Sequence, residues 1–338
     1  MKNIRIILPL LLLACSLGSC QKMREKVNLS GVLIANTEVE DRVEMSYKYY
    51  LDYKDNYRVR TVEASEYSFL VGADSHVTTD PGRMTEMLNI GLEHEDLLYA
   101  HLGDIADTKA DYYIRLDSII EEGKRRYVDK YYYPVNEYLY ARIDDSLAAP
   151  ILYDKIEFPF YAAVGNHDIT RNGWALWSNI FHSSFYTVYV FVFTDDGDFQ
   201  IDRFIFLDSA NGTLGRLQID LIEEDVFDGI VDGENVFRHT FVFTHTNIFH
   251  PQFNEFASTF TREETFFLLE QFDKWDVDCV FCGHVHTWDD RTYNGVTYLT
   301  LNTMCEANNP NPGDYLVRMH VKSDGSLEWE QVHMDYTK

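Results

Sequence analysis

Five short polar clusters carry most of the residues in this chain that could do chemistry. They are Asp74-Ser75-His76, Gly103-Asp104-Ile105-Ala106-Asp107, Gly165-Asn166-His167-Asp168, Val242-Phe243-Thr244-His245 and Gly283-His284-Val285-His286. Hard carboxylate oxygens and borderline imidazole nitrogens together suit Mn, Fe or Zn. In extended chain, side chains two residues apart project to the same side, so His284 and His286 can address one place. The glycines at 103, 165 and 283 let the backbone turn sharply beside such a place.

Each cluster closes an apolar run. Tyr67 to Ala73, Leu97 to Leu102, Phe158 to Val164, Phe237 to Thr244 and Val277 to Cys282 read as buried strands. Further strands are expected around 185–193 and 201–207, with Asp196-Gly197 as the turn between them. Turns at Asn294-Gly295 and Asp324-Gly325 mark two closing hairpins. Residues 82–94 read as a helix, and 262–275 as an amphipathic one with Phe266, Leu269 and Phe272 inward. This is an α/β pattern, and in α/β sheets sites form beyond the carboxyl ends of the strands. Five polar strand ends can therefore converge.

Ahead of the alternating region, Val43, Tyr47, Tyr50 and Leu51 lie at roughly helical spacing within residues 41–60. The connection 108–157 is long for a single loop. Ile114, Leu116, Ile119 and Ile120 place a helix in it, and a tyrosine-rich stretch follows at 131–140. It reads either as an inserted helical cap beside the site or as a plain surface excursion.

The five clusters, in this order, resemble the signature of the calcineurin-like metallophosphoesterases: DxH, GDxxD, GNHD, VxxH and GHxH. The resemblance spans residues 66 to about 335, and five motifs in order make it specific. It implies a four-layer αββα sandwich of two mixed β-sheets flanked by helices. It implies a centre of two divalent or trivalent ions, with Mn, Fe and Zn all suited. Asp74, His76 and His286 would hold the first ion, Asn166, His245 and His284 the second, and Asp104 would bridge them. A hydroxide between the ions would attack a phosphomono- or phosphodiester, while the ions neutralise charge on the phosphoryl oxygens. His167 matches the family's catalytic histidine and would protonate the leaving oxygen. Asp107 would orient His167. A nucleotide or nucleotide-sugar pyrophosphatase with the same metals is the alternative, and a non-catalytic binding lipoprotein on the same fold is a third reading.

Departures from that signature narrow it. Asp107 stands where purple acid phosphatases carry a tyrosine ligand, which speaks against the tyrosinate–ferric version. Thr108 and Lys109 replace the Arg-Gly of the protein-phosphatase form GDxxDRG. Asp168 is expected to be a structural hydrogen-bonder. Tyr186, Asp208 and Gln218 match recurrent structural positions. Arg171 is a candidate phosphate clamp, and His250 a second candidate substrate contact, each set against a surface or structural role. Trp174 and Trp177 are expected to pack.

The 338 residues suffice for one large domain or two small ones. The net charge of −26 repels polyanions and speaks against nucleic acid as a main partner. A small-molecule phosphoester is the expected substrate. Lys2 and Arg5, then the apolar run Ile6 to Ala14, then small residues have the layout of a secretory signal peptide over 1–19. Leu17-Gly18-Ser19-Cys20 resembles a bacterial lipobox, and so does Leu12-Leu13-Ala14-Cys15. Cys20 is preferred because it leaves the longer apolar segment before cleavage. The expectation is an exported protein tethered to the cell envelope by lipid on Cys20, two or more acyl chains being enough for stable anchoring. Residues 20–65 then read as a linker and helical segment ahead of a 66–338 domain. Cys279 and Cys282, three apart on a strand, face opposite sides, so they and Cys305 read as small buried hydrophobes.

Overall fold

The computed structural model describes residues 38–53, 59–62, 66–78, 81–132, 156–193, 198–224, 230–231, 234–249, 260–305 and 314–334. In chain order the elements are α1 (Val39–Tyr53), β1 (Val59–Val62), β2 (Tyr67–Gly72), α2 (Gly82–His94), β3 (Leu98–His101), α3 (Ala110–Tyr131) and β4 (Phe160–Ala162). There follow α4 (Asn166–Ile169), α5 (Gly173–Phe181), β5 (Tyr186–Phe193), β6 (Phe199–Phe206), α6 (Gly215–Glu223) and the short pair β7 (Ile230–Val231) and β8 (Glu234–Asn235). The chain closes with β9 (Phe237–Thr244), α7 (Arg262–Lys274), β10 (Cys279–Cys282), β11 (Asp289–Tyr293), β12 (Val296–Thr300), β13 (Asp314–Val321) and β14 (Leu327–His333).

The strands form two mixed sheets, ordered β1-β5-β6-β9-β10-β12-β11 and β14-β13-β2-β3-β4. Parallel pairs join β2 to β3, β3 to β4, β6 to β9, β9 to β10 and β10 to β12, so the motif-bearing strands all run the same way within each sheet. Period-two alternation divides each strand between two cores. Phe69, Val71, Leu98 and Ala100 meet Phe204, Phe206, Phe241, Phe243 and Phe281 between the sheets. The opposite faces lie under helices. Leu70 and Tyr99 pack with residues of α2, α3 and α5, and Ile205, Val242 and Val280 with residues of α1, α6 and α7. This is the expected four-layer αββα sandwich. Cys279 lies in the inter-sheet core and Cys282 in the outer one, so the pair does face opposite ways, and both are free.

Three features differ from the sequence reading. Helix α7 turns Leu268 and Phe272 inward and leaves Phe266 69 % exposed. Two residues of helix rotate a side chain by about 200°, so Phe266 and Leu268 cannot share a face. The domain also begins ahead of residue 66. Strand β1 pairs in parallel with β5. In α1, the buried Arg42 donates through Nε and Nη2 to Asp208 at 2.8 and 2.7 Å. Glu40 accepts from the backbone N–H groups of Arg216 and Leu217, at the open start of α6. Finally, α3 belongs to the helical layer and is not a separate cap. Its Gly123 lies against Leu88 and Phe158, where a Cβ would collide. The remainder of the expected insertion, 133–155, lies outside the described residues, as do residues 1–37 with Cys20 and the Asp196-Gly197 turn. No described helix is long and apolar enough to cross a membrane.

Candidate metal centre

The donors expected from the sequence meet at the carboxyl ends of the strands. Asp74 and His76 follow β2, Asp104 follows β3, Asn166 starts α4 after β4, His245 follows β9, and His284 and His286 follow β10. Asp74, His76 and His286 bring donor atoms within 4.8 Å of one another, and so do Asp104, His245 and His284. His286 Nε2 lies 3.3 Å from Asp74 Oδ1. His245 Nε2 lies 2.9 Å from Asn166 Oδ1, 3.1 Å from His284 Nδ1 and 3.5 Å from Asp104 Oδ2. Asp104 Oδ2 is also 4.0 Å from His76 Nε2, which puts this carboxylate between the two groups.

The backbone is bent to achieve this. Asp74, His76, Asp104, His284 and His286 all have positive φ, between 43° and 71°. For residues with a Cβ this left-handed region costs on the order of 1–3 kcal/mol each, and such strain clusters at functional sites. Close approach adds to it. Gly103 has φ 89°, and a Cβ there would stand 2.6 Å from Gly165 N. A Cβ on Gly165 would collide with the backbone N and Oδ1 of Asp104.

Hydrogen bonds orient the donors. His245 Nδ1 is 2.8 Å from the Leu102 carbonyl oxygen, which places the N–H there and leaves the Nε2 lone pair facing the cluster. Asp104 Oδ1 accepts from the His167 backbone N–H at 2.7 Å. Asp74 accepts from the His284 N–H. Ser209 and Thr303, which the sequence reading missed, hold the frame. Ser209 Oγ accepts from the backbone N–H groups of His245 and Thr246, and Thr303 Oγ1 donates to the Asp74 carbonyl at 2.7 Å. Both follow strands, β6 and β12, so the rule that found the five clusters could have found them too.

Charge at the centre is strongly perturbed. Burial works against the Asp74 carboxylate, yet the hydrogen bond from His286 and the neighbouring imidazoles hold its pKa well below the usual range. Burial likewise opposes ionisation of Asp104, and His245, His76 and His167 outweigh it. For His76 burial favours the neutral ring, but the hydrogen bond to Asp107 and the charges of Asp104 and Asp74 raise its pKa to about 10. The acids thus draw positive charge onto their neighbours. His76 Nε2 is nevertheless buried without a hydrogen-bond partner. Convergent lone pairs, two buried acids with no Lys or Arg in contact among the described residues, and an orphaned ring nitrogen are what a cation site requires.

The remaining expectations divide. Asp168 is structural: it accepts from the N–H groups of Gly165, Ile105 and Ala106 and from the Tyr113 hydroxyl. Burial and the Asp104 charge push its pKa up to about 7 against those donors. Tyr186 bonds Ala162, and Gln218 bonds the backbone of Asp208. His101 is a core residue whose pKa burial lowers to about 3. Trp174 and Trp177 stack together in the core. His167 stands at the rim, 49 % exposed, with Nδ1 3.8 Å from Asp107 Oδ1. That oxygen is closer to His76 Nδ1, at 3.3 Å, so Asp107 addresses His76 as well as His167. Arg171 is exposed on the turn after α4, with φ 48°, and no described contact joins it to the cluster. His250 lies outside the described residues.

No family model matches the chain, and no curated protein does. Solved structures do. A dimetal phosphatase from Danio rerio is 13 % identical over 75 % of this chain and 92 % of its own, with a TM-score of 0.39. A novel archaeal phosphodiesterase is 11 % identical over 78 % of this chain and 99 % of its own, at 0.36. GAP50, the anchor in the inner membrane complex of Plasmodium, is 9 % identical over 81 % of this chain and 90 % of its own, at 0.45. At such values the donor atoms themselves, and not the neighbours, say what this centre can hold.

Proposed function

We propose that this chain is a metallophosphoesterase that hydrolyses a phosphomono- or phosphodiester with two cations. The observation that carries the reading is the convergence of seven donor residues from five strand ends: Asp74, His76 and His286 in one group, Asp104, His245 and His284 in a second with Asn166 against His245, and Asp104 only 4.0 Å from His76 of the first. Asp74, His76 and His286 would hold one ion and Asn166, His245 and His284 the other, with Asp104 between. Two such ions, when bound, neutralise the phosphoryl oxygens and supply a nucleophile at neutral pH.

The protein's own groups do the rest. Asp104 is kept in place by the His167 N–H, and His245 by Leu102 and Ser209. His167 projects from the rim with Nδ1 toward Asp107, which leaves Nε2 to give a proton to the leaving oxygen. Its exposure leaves it open to a substrate arriving from solvent. The charged residues at 2 and 5, the apolar run 6–14 and Cys20 support export and lipid anchoring, so the substrate would lie outside the cytoplasm.

The test is hydrolysis of bis- and mono-p-nitrophenyl phosphate by purified protein, with and without Mn²⁺ and after chelation. Chelator-sensitive turnover of either ester is expected. Full metal content without turnover of any phosphoester or pyrophosphate would leave only a binding protein on this fold.

A further inference from the structure

Every imidazole ligand must present a lone pair to its cation, so its single N–H must be placed on the other ring nitrogen. In His245 the Leu102 carbonyl does this, from the backbone. In His76 the corresponding atom is Nδ1, and its partner is the side chain of Asp107 at 3.3 Å. His76 Nε2 then points inward, buried and unpartnered, 4.0 Å from Asp104. The same Oδ1 of Asp107 lies 3.8 Å from His167 Nδ1, and the His76 and His167 rings stand edge to face, 4.8 Å apart. One carboxylate oxygen therefore faces a ligand and the rim histidine together. A carboxylate on the far nitrogen of a metal-bound imidazole fixes the tautomer and raises ligand basicity.

We propose that Asp107 is a positioning residue for His76 that sets the affinity of the first cation site, and that it shares this carboxylate with His167. The proposal rests on the two-cation reading above. It separates Asp107 from His167: the former acts on metal binding and proton donation, the latter on proton donation alone.

The test measures binding, not only turnover. Wild type, Asp107→Ala, Asp107→Asn and His167→Ala are stripped with chelator, then titrated with Mn²⁺ by calorimetry and with Co²⁺ by visible absorption. Asp107→Ala is expected to weaken one of the two sites by about 10–100-fold and to leave the other unchanged. Asp107→Asn keeps an acceptor for the Nδ1–H and should fall between Asp107→Ala and wild type. His167→Ala should bind both ions as wild type does. The Asp107 carboxylate is 43 % exposed, so the metal-free variants should still unfold in one cooperative transition, with Tm lowered only by loss of the Asp107–His76 pair, and the unchanged second site shows that the fold is intact. Wild-type affinity at both sites in Asp107→Ala, with turnover lost, would assign Asp107 to His167 alone and overturn the proposal. A wild-type protein that takes up fewer than two ions would instead overturn the two-cation reading itself.

Discussion

The two ends of the β-sandwich both bury acids, but they neutralise them differently. Toward the amino ends of the strands the buried acids Asp202 and Asp96 each have an arginine. Asp202 accepts from Arg238 Nε at 2.8 Å and from the Tyr67 hydroxyl. Asp96 accepts from Arg318 Nε at 2.9 Å and from Ser68. At the carboxyl ends Asp74 and Asp104 are equally buried and face imidazoles and backbone N–H groups, with no Lys or Arg in contact among the described residues. Asp208 shows that the partner, and not the end of the sheet, decides the role. It follows β6 on the same side as the cluster, yet Arg42 pairs with it and it stays out of the centre. An acid that already has a fixed cation supports the fold, and one with only titratable neighbours can exchange their protons for a metal.

The largest effect should come from breaking the centre at Asp104, the proposed shared ligand. Asp104→Asn is expected to lose both ions and reduce turnover to background, read by metal analysis beside an ester assay. Gly165→Ala should do the same without touching a ligand, because its new Cβ needs the space of Asp104. Retention of two ions by either variant would mean that Asp104 does not bridge. Next, His167→Ala should keep both metals and lose about 10²- to 10⁴-fold in turnover of a poor leaving group. The loss should shrink with p-nitrophenol, which leaves without a proton.

The arginine-paired acids should respond to mutation in the other way. Arg42→Met leaves Asp208 buried without its cation and is expected to cost about 3–5 kcal/mol of stability. The cost should be the same with and without Mn²⁺, whereas in Asp104→Asn the metal-induced rise in Tm disappears. A metal-dependent cost for Arg42→Met would erase the distinction between the two kinds of acid.

A smaller effect concerns pH. In the metal-free protein His76 has its pKa raised on folding to about 10. Such a histidine contributes stability that is fully present below its unfolded value of about 6.5 and is lost as pH rises through the folded value. The Tm of chelator-treated protein should therefore fall as pH rises from 6.5 toward 10. Metal affinity should rise over the same window, since a cation must displace the His76 proton. A flat affinity profile would remove His76 from the ligands. At the bottom of the scale, Phe266→Ser on the exposed face of α7 should change stability within about 0.5 kcal/mol and leave turnover alone, as should His94→Ala on the exposed end of α2.

Local pattern carried much of this into the sequence. The strands were legible because apolar runs ended at glycine and polar residues, and α2 because its periodicity was unbroken. Five polar strand ends of an α/β fold pointed to one place, and the resemblance to the metallophosphoesterase signature picked Asp74, His76, Asp104, Asn166, His245, His284 and His286 out of those clusters before any distance was known. Tertiary contact alone decided the rest. That α1 belongs to the domain depends on Arg42 reaching Asp208, 166 residues away. Which phenylalanine of α7 faces inward depends on the sheet beneath it, because helical spacing admits more than one face. Asp107 could be placed beside His167 by motif. Its shorter distance to His76 depends on how β2 and β3 pair, with His76 N bonded to the Asp104 carbonyl at 3.0 Å. Spacing along a chain selects residue types and faces, and only the packing of one strand end on another fixes which atom of a carboxylate meets which nitrogen.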